Sequence, residues 1–239
     1  MRIVWKREVL CFFYTPIGFV VVGVFQGLSG VIFYLNNLRP LSGELLGFFS
    51  SLTMLIMLLS PMLTMRLLCE ERQKHTDQLL FTSPVPLARI VLGKFFSAAT
   101  VLLMAILSTN VYTLIVGLYG TVYIGELFVG YLGFVLQSLS FLALDMLVTC
   151  PARNQVSAAM FAFAANLIMW ILDVIVKYVS LGFLGEALEF ISLYNRYEPF
   201  ILGQFSYANV LFYLSFVAVC LTATVRLLDG RRFSRGGTA

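Results

Sequence analysis

The chain has 239 residues, of which 60% are hydrophobic and 12% are charged, with a formal net charge of +4 and a mean hydropathy of +0.92. A soluble domain of this size could not bury so much apolar surface, so the composition excludes a soluble globular protein and indicates an integral membrane protein. The four cysteines form no close pair and no metal-ligand spacing, so we expect neither a disulfide framework nor a metal site.

The N-terminal residues mix basic and large apolar side chains. Arg2, Lys6 and Arg7 stand among bulky apolar residues, which suits a helix lying in the headgroup layer. A cleaved signal peptide is the alternative. However, the apolar run that follows is long enough to span a membrane, and no A-x-A-like cleavage site comes after it. We therefore expect residues 1–15 to form a retained interfacial helix.

The rest of the chain contains six apolar stretches that approach or exceed the roughly 20 residues needed to cross the hydrocarbon core. The predicted spans are residues 17–35, 45–68, 90–118, 127–149, 156–179 and 209–228. Between the fifth and sixth spans, residues 180–206 are less apolar and are expected to form an external re-entrant helical segment. The predicted fold is an all-α integral membrane protein with six transmembrane helices in a single domain, residues 1–239.

Two features inside the spans predict how the helices pack. Gly23 and Gly27 form a small-xxx-small spacing, which would let another helix approach closely. Pro61 lies within the second span, where its missing N–H can kink the helix.

The basic residues predict the orientation in the membrane. Of the 16 Lys and Arg residues, only Arg39, Lys177 and Arg196 fall on the side opposite the termini. So large an asymmetry places both termini in the cytoplasm.

The stretch from Pro61 to Pro86 concentrates charge in this apolar chain. After Arg66 the helix is expected to continue into water, and Thr76 can cap a further short helix with Asp77 in its first turn. Residues 69–89 are too few for a folded domain, so we expect a coupling loop that docks a soluble partner. The alternative is a juxtamembrane charge cluster that only fixes topology.

The string PMLTMRLLCEERQKHTDQLLFTSPVPLARIVLGKF resembles the signature of ABC-2 type transporter permeases, most closely the bacterial branch of the gliding-motility and nitrous-oxide-reductase-maturation permeases. The matching residues are Pro61, Leu63, Thr64, Met65, Arg66, Glu70, Glu71, Arg72, Thr76, Leu79, Leu80, Thr82, Pro84, Val85, Gly93 and Lys94. Outside this string, Tyr14, Thr15, Pro16, Asn154 and Gln155 also fit. His75 departs from the pattern, since the family usually has glycine there.

The resemblance implies a permease subunit of an ABC transporter, an exporter in the bacterial cytoplasmic membrane, with a second permease unit that is identical or related. It also implies two copies of a separate ATPase subunit, which bind ATP and Mg, so that this chain binds no cofactor itself. Further expected contacts are membrane lipid and an external accessory protein, with no nucleic acid. The implied ATPase-subunit interface comprises Arg66, Glu70, Glu71, Arg72, Lys74, Thr76, Asp77, Leu79, Leu80, Thr82, Pro84, Arg153, Asn154 and Gln155.

The sequence agrees with a motor on another chain. Its Gly93-Lys94 pair has Ala88 where a P-loop needs glycine and Phe95 where it needs Ser or Thr, so it cannot cradle phosphates. We therefore predict that the chain is not an enzyme.

Two aspartates lie well inside predicted spans and are functional candidates for that reason, as is Lys177 beside one of them. Asp145 and Asp173 are too far apart, about 25 Å along the helix axes, to act as an aspartyl protease pair. We expect Asp173 to pair with Lys177, and Asp145 to pair with Arg153 or with a partner chain. The single histidine, His75, rules out a His-based metal site or a Ser-His triad within the chain.

Two other transport-related functions remain open. An ion-driven secondary transporter would usually show inverted repeats and central ionisable groups, and neither is evident. A membrane subunit that transmits ATP-driven motion to an external machine would use residues 180–206 as its contact site, and the sequence does not separate this function from transport.

Overall fold

A computed structural model of the chain describes residues 2–40, 43, 45–73, 86–119, 123–178 and 192–236. These residues form helices joined by turns, with no β-strand among them. The helices are α1 (Arg2–Tyr14), α2 (Pro16–Phe33), α3 (Leu46–Gln73), α4 (Leu87–Ser108), α5 (Asn110–Tyr119), α6 (Ile124–Thr149), α7 (Gln155–Tyr178), α8 (Leu193–Ile201) and α9 (Tyr207–Gly236). A π-helical turn, Tyr34–Leu38, extends α2.

Six helical segments in the described part of the chain are long and apolar enough to cross a membrane. They are Pro16–Leu38, Gly47–Cys69, Leu87–Tyr119, Ile124–Thr149, Gln155–Ile175 and Tyr207–Gly230. The third segment comprises α4 and α5, which meet at Thr109. The predicted all-α fold with six membrane-crossing helices is confirmed.

Local chemistry explains where several helices begin. Thr15 is extended and Pro16 occupies the first turn of α2, where a missing N–H costs nothing. Pro86 is likewise extended and immediately precedes α4. Ser192 caps α8 by accepting a hydrogen bond from the backbone N–H of Asn195 at 3.1 Å.

α3 is the central helix of the bundle. It contacts α2, α6 and α7 along its length, and large side chains such as Phe48, Phe49 and Leu52 are almost completely buried. A helix that is apolar on all sides belongs inside a protein or a membrane. By contrast, α2, α7 and α9 leave many apolar side chains exposed. Those outer faces suit contact with lipid or with another chain.

Two short helices lie against this bundle. α1 contacts α4 and α2, whereas α8 contacts α6, α7 and α3. The predicted interfacial position of α1 stays a prediction, as does the re-entrant nature of residues 180–206, of which 192–206 are described.

Candidate functional site

The helices α3 and α4 border the predicted coupling loop, so the ends of these helices next to the loop form the candidate site. The backbone of α3 is helical through Gln73, in agreement with the expected extension of the second span. α4 begins again at Leu87. Four polar residues near these two ends, which we call the α1 contact cluster, connect them to the N-terminal helix: Glu8, Thr15, Arg66 and Lys94.

Arg66 of α3 binds the junction of α1 and α2. Its Nη1 donates to the backbone oxygen of Cys11 at 3.2 Å and to Thr15 Oγ1, and its guanidinium carbon lies 5.8 Å from the centre of the Phe12 ring. The last carbonyl groups of a helix lack partners within the helix, and a cation there also complements the helix dipole. Cys11 belongs to the last turn of α1, and its oxygen also accepts from the backbone N–H and the Oγ1 of Thr15. Arg66 therefore adds a charged donor and a cation at this end of the helix.

Arg66 is buried against its own chain, and its predicted place in the ATPase-subunit interface stays a prediction. Only 7% of the residue is exposed, so its charge is directed at its own chain. A basic residue at a membrane boundary in the sequence does not distinguish a contact within the chain from a contact with a partner, because both place a cation at the same depth.

Lys94 of α4 connects three helices. Its Nζ lies 3.4 Å from Glu8 Oε1 of α1 and donates to the backbone oxygen of Leu67 in α3. The Lys94 side chain is 2% exposed, and a buried ammonium group must be paired to be tolerated. Trp5 adds a second connection between α1 and α4, since its Nε1 donates to Thr100 Oγ1 at 3.0 Å.

The turn between α6 and α7 lies at the same end of the bundle. Ala152 of the turn and Ala158 of α7 are buried with Cys69 of α3, and Met65 packs against them. The turn therefore contacts the last described turns of α3. Arg153 and Asn154, both predicted interface residues, are exposed beside this contact, and Gln155 is half-buried.

Asn154 caps a helix, which is a structural role in addition to its predicted place in the ATPase-subunit interface. Its Oδ1 accepts a hydrogen bond from the backbone N–H of Ser157 at 2.7 Å, which caps the N-terminus of α7.

A comparison with protein-family models matches residues 13–236 to the model described as ABC-2 family transporter protein. The chain belongs to the ABC-2 transporter family. It is accordingly a permease subunit of an ABC transporter and a multi-pass membrane protein, and the family implies an ABC ATPase as its partner. Permeases of this family are typically non-catalytic. No curated protein matches the chain.

Pro61 of the permease creates a polar site between α3 and α7. A proline at this position cannot donate to the carbonyl of Met57, four residues earlier. Asn166 of α7 replaces the missing donor, since its Nδ2 lies 3.1 Å from Met57 O and 3.2 Å from Ser60 Oγ. Neighbouring helices commonly satisfy backbone groups that a proline frees within a membrane.

Sequence reasoning missed Asn166. The available signal was an amide in the middle of an apolar span, combined with a proline in the middle of another. Neither residue alone identifies the other as its partner.

The two membrane aspartates of the permease occupy different environments. Asp173 accepts a hydrogen bond from Ser192 Oγ at 2.6 Å, which connects α7 to the start of α8. Asp145 is fully buried between α3 and α7, whereas Arg153 is exposed. The predicted Asp145–Arg153 pair does not form, because neither carboxyl oxygen of Asp145 has a hydrogen-bond partner among the described residues.

Gly23 and Gly27 of the permease face away from the described parts of the chain. A Cβ atom added to either residue would meet nothing within 4 Å there. No helix in the described part of the chain packs closely on these two glycines, so their predicted helix-packing role stays a prediction.

Several predicted residues cannot be placed. The structure does not describe four of the predicted side chains, namely those of Glu70, Glu71, Arg72 and Lys177. Seven further predicted residues lie wholly outside the described ranges: Lys74, Thr76, Asp77, Leu79, Leu80, Thr82 and Pro84. The predicted Asp173–Lys177 pair lies outside them too.

Proposed function

We propose that this permease exports a substrate across the bacterial cytoplasmic membrane, and that ATP hydrolysis on a separate ATPase subunit drives the export through the coupling loop. The observation that supports this proposal best is the α1 contact cluster. It joins both helices bordering the loop to a third helix by buried charged groups, at the place where an external force would enter.

The cluster suggests how force passes into the membrane. Arg66 connects α3 to the α1–α2 junction, and Lys94 connects α3, α4 and α1. A displacement of the loop would therefore move these helices together rather than bend α3 alone. Because α3 is a continuous helix of 28 residues that packs on α6 and α7, the same displacement would alter the middle of the bundle.

The proposed assembly contains two permease units and two ATPase subunits, with ATP and Mg bound by the ATPase subunits. The exposed apolar faces of α2, α7 and α9 are available for lipid and for a second permease unit, and Gly23 and Gly27 belong to the first of these faces. The basic residues favour cytoplasmic termini, which puts the α1 contact cluster on the ATPase side. The sequence pattern favours the gliding-motility and nitrous-oxide-maturation branch of the family.

Charge reversal at the predicted docking surface tests the proposal. We would purify the permease from its native membrane by an affinity tag and measure the co-purified ATP hydrolysis. We expect the co-purified activity of E70K/E71K to be about tenfold lower than that of the wild type, or lower still, since like charges placed against each other across an interface cost several kcal/mol.

The matched control is E126K/E198K. Glu126 begins α6 and Glu198 lies in α8, and both are exposed at the opposite end of the bundle. The control should retain the co-purified activity. Equal retention by E70K/E71K and by the control would contradict docking through this loop.

A second candidate function is transmission of ATP-driven motion to an external machine without solute transport. The firm attachment of α8 to the bundle favours it, since Tyr197 and Phe200 are fully buried and Tyr213 of α9 donates to Leu193 O at 2.7 Å. Substrate flux into vesicles that contain the permease and its ATPase separates the two functions. Flux that requires ATP supports export, whereas ATP turnover without flux of any candidate solute supports transmission of motion.

A further inference from the structure

A fully buried carboxyl group without a counter-charge lies where α3, α6 and α7 meet. Asp145 of α6 is 0% exposed, and the side chains that face its carboxyl group are Ser60 of α3 and Asn166 of α7. Neither reaches a normal hydrogen-bond geometry with it, so both carboxyl oxygens lack a partner among the described residues. Asp145 lies about 6 Å before the end of its membrane-crossing segment, at 1.5 Å per residue.

The neighbouring amide cannot supply the missing hydrogen bonds. Asn166 Nδ2 already donates to Met57 O and to Ser60 Oγ. The opposite amide orientation would place its oxygen against Met57 O, which is an acceptor that Pro61 leaves without its usual helical donor. The amide orientation is therefore fixed by Pro61, and the hydroxyl of Ser60 is the one remaining donor beside the carboxyl group.

The ionised side chains that the structure describes on the helices around α6 do not offset a charge on Asp145. Arg66 and Lys94 are engaged with α1, Asp173 accepts from Ser192, and Arg226 of α9 is exposed. None of them donates a hydrogen bond to the Asp145 carboxyl group. An ionised carboxylate inside a membrane span, with no cation and at most one neutral donor, is very costly.

We propose that Asp145 is a proton-binding site, and that it holds a proton when α3 and α7 are packed against α6. A small rotation of the neutral carboxyl group would let its O–H donate to Ser60 Oγ, which has a lone pair left after accepting from Asn166. One proton added to one carboxylate balances the charge, and no other ligand is needed.

The site also couples proton binding to the position of α3. The carboxyl group has no exposed surface in the packed arrangement, so water reaches it only if a helix packed on α6 moves away, and α3 and α7 carry the side chains beside it. Separation would hydrate the carboxylate and favour release of the proton. α3 leads into the predicted coupling loop, so a movement of the loop that separates α3 from α6 would be accompanied by release of the proton from Asp145.

Infrared spectroscopy of the full-length permease in lipid vesicles tests the proposal. Aspartate occurs at positions 77, 145, 173 and 229, so carbon-13 labelling of aspartate restricts the signal to these residues. We expect an isotope-shifted carbonyl band of a protonated carboxylic acid at pH 7, which D145N removes and D173N leaves in place. S60A should shift the frequency of this band, because it removes the hydrogen-bond acceptor.

A second variant keeps the test decisive if D145N does not fold. The triple variant D77N/D173N/D229N leaves Asp145 as the single aspartate and must still show the band. Absence of the band from this variant, or an equal band in the wild type and D145N, would overturn the proposal. A third outcome would also overturn the proposal: sodium chloride stabilises the wild type more than choline chloride does, and D145N abolishes this difference. The site would then bind a metal cation.

Discussion

The two short helices beside the bundle are attached to it by different chemistry. α1 buries a single side chain, Phe12, and depends on the charged groups of Arg66 and Lys94. α8 is shorter but buries Leu193, Tyr197 and Phe200. Its hydrogen bonds come from hydroxyl groups and from Arg196, which donates to Asn209 Oδ1 at 3.3 Å.

The difference indicates which end of the molecule is built to respond to a partner. Apolar packing depends on shape and is insensitive to nearby charge, so α8 should keep its place whatever binds at the opposite end. Buried ion pairs are stable only while both partners remain in position. The charged attachment of α1 lies beside the loop where the ATPase subunit is proposed to dock, and the mainly apolar attachment of α8 lies away from it.

The largest expected effect comes from breaking the charged attachment. K94M leaves Glu8 without its cation and Leu67 O without a side-chain donor, and should lower the free energy of unfolding by about 3 kcal/mol, because removing one partner leaves a poorly solvated charge. Unfolding in mixed micelles followed by circular dichroism would measure this. R89M, on the exposed face of the same helix, is the control and should change little.

The double variant E8Q/K94M separates pairing from packing. If the ion pair causes the loss, removal of both charges should recover more than half of it. No recovery would show that the contact of Lys94 with Leu67 O, and not its charge pair, attaches α1.

The corresponding test for α8 is a change of shape. A Cβ atom at Gly133 of α6 would lie within 2.5 Å of Phe200 Cγ, so G133A should force α8 away from α6 and cost about 2 kcal/mol, as overpacking of a buried contact does. Circular dichroism during thermal unfolding would measure it. G125A in the same helix is the control, since nothing lies within 4 Å of its added Cβ and helix propensity favours alanine. An equal loss in both variants would contradict packing as the attachment of α8.

The sequence predicted the spans well because the bilayer imposes a length on them. Residues 156–179 were predicted for the fifth span, and α7 comprises Gln155–Tyr178. The third span contains two helices that meet at Thr109, where Ser108, Thr109 and Asn110 interrupt the apolar run. Hydropathy averaged over a whole span could not reveal this junction, because three polar residues barely lower the average.

The partners of the polar residues could not be predicted. Arg66 and Cys11 are 55 positions apart, and Asn166 and Met57 are 109 apart, so no local pattern relates them. The resemblance to a family identified Arg66 as important. It did not indicate whether the side chain faces a partner or its own chain, because that depends on how α1 folds back against α3.

Asn166 extends the comparison to a neutral attachment inside the membrane. N166L should lower the free energy of unfolding by about 1 kcal/mol, because Met57 O then loses its donor. P61A restores a backbone N–H at position 61, which can donate to the same carbonyl. We therefore expect N166L to cost less in the P61A background, as measured by a double-mutant cycle in micelles. An unchanged cost would mean that Asn166 stabilises the permease through Ser60 and not through the carbonyl that Pro61 frees.

The smallest expected effect concerns a buried hydroxyl of α8. Tyr197 Oη has no hydrogen-bond partner of normal geometry among the described residues, although Thr53 lies nearby. Y197F should change the free energy of unfolding by less than about 0.5 kcal/mol at pH 7, since it removes no satisfied hydrogen bond. Y213F is the matched control, because it loses the bond to Leu193 O and should cost about 1 kcal/mol.

Alkaline pH should produce a difference in stability between the wild type and Y197F. Burial raises the pKa of the Tyr197 phenol well above its usual range, so the folded state keeps a proton that the unfolded chain loses. The wild type should therefore lose stability as the pH rises above about 10, the ordinary pKa of tyrosine, and Y197F should lose less. Unfolding curves at pH 9 to 11 would measure the difference. Parallel curves for the two proteins would mean that the phenol is hydrated, and that the attachment of α8 is looser than its apolar contacts indicate.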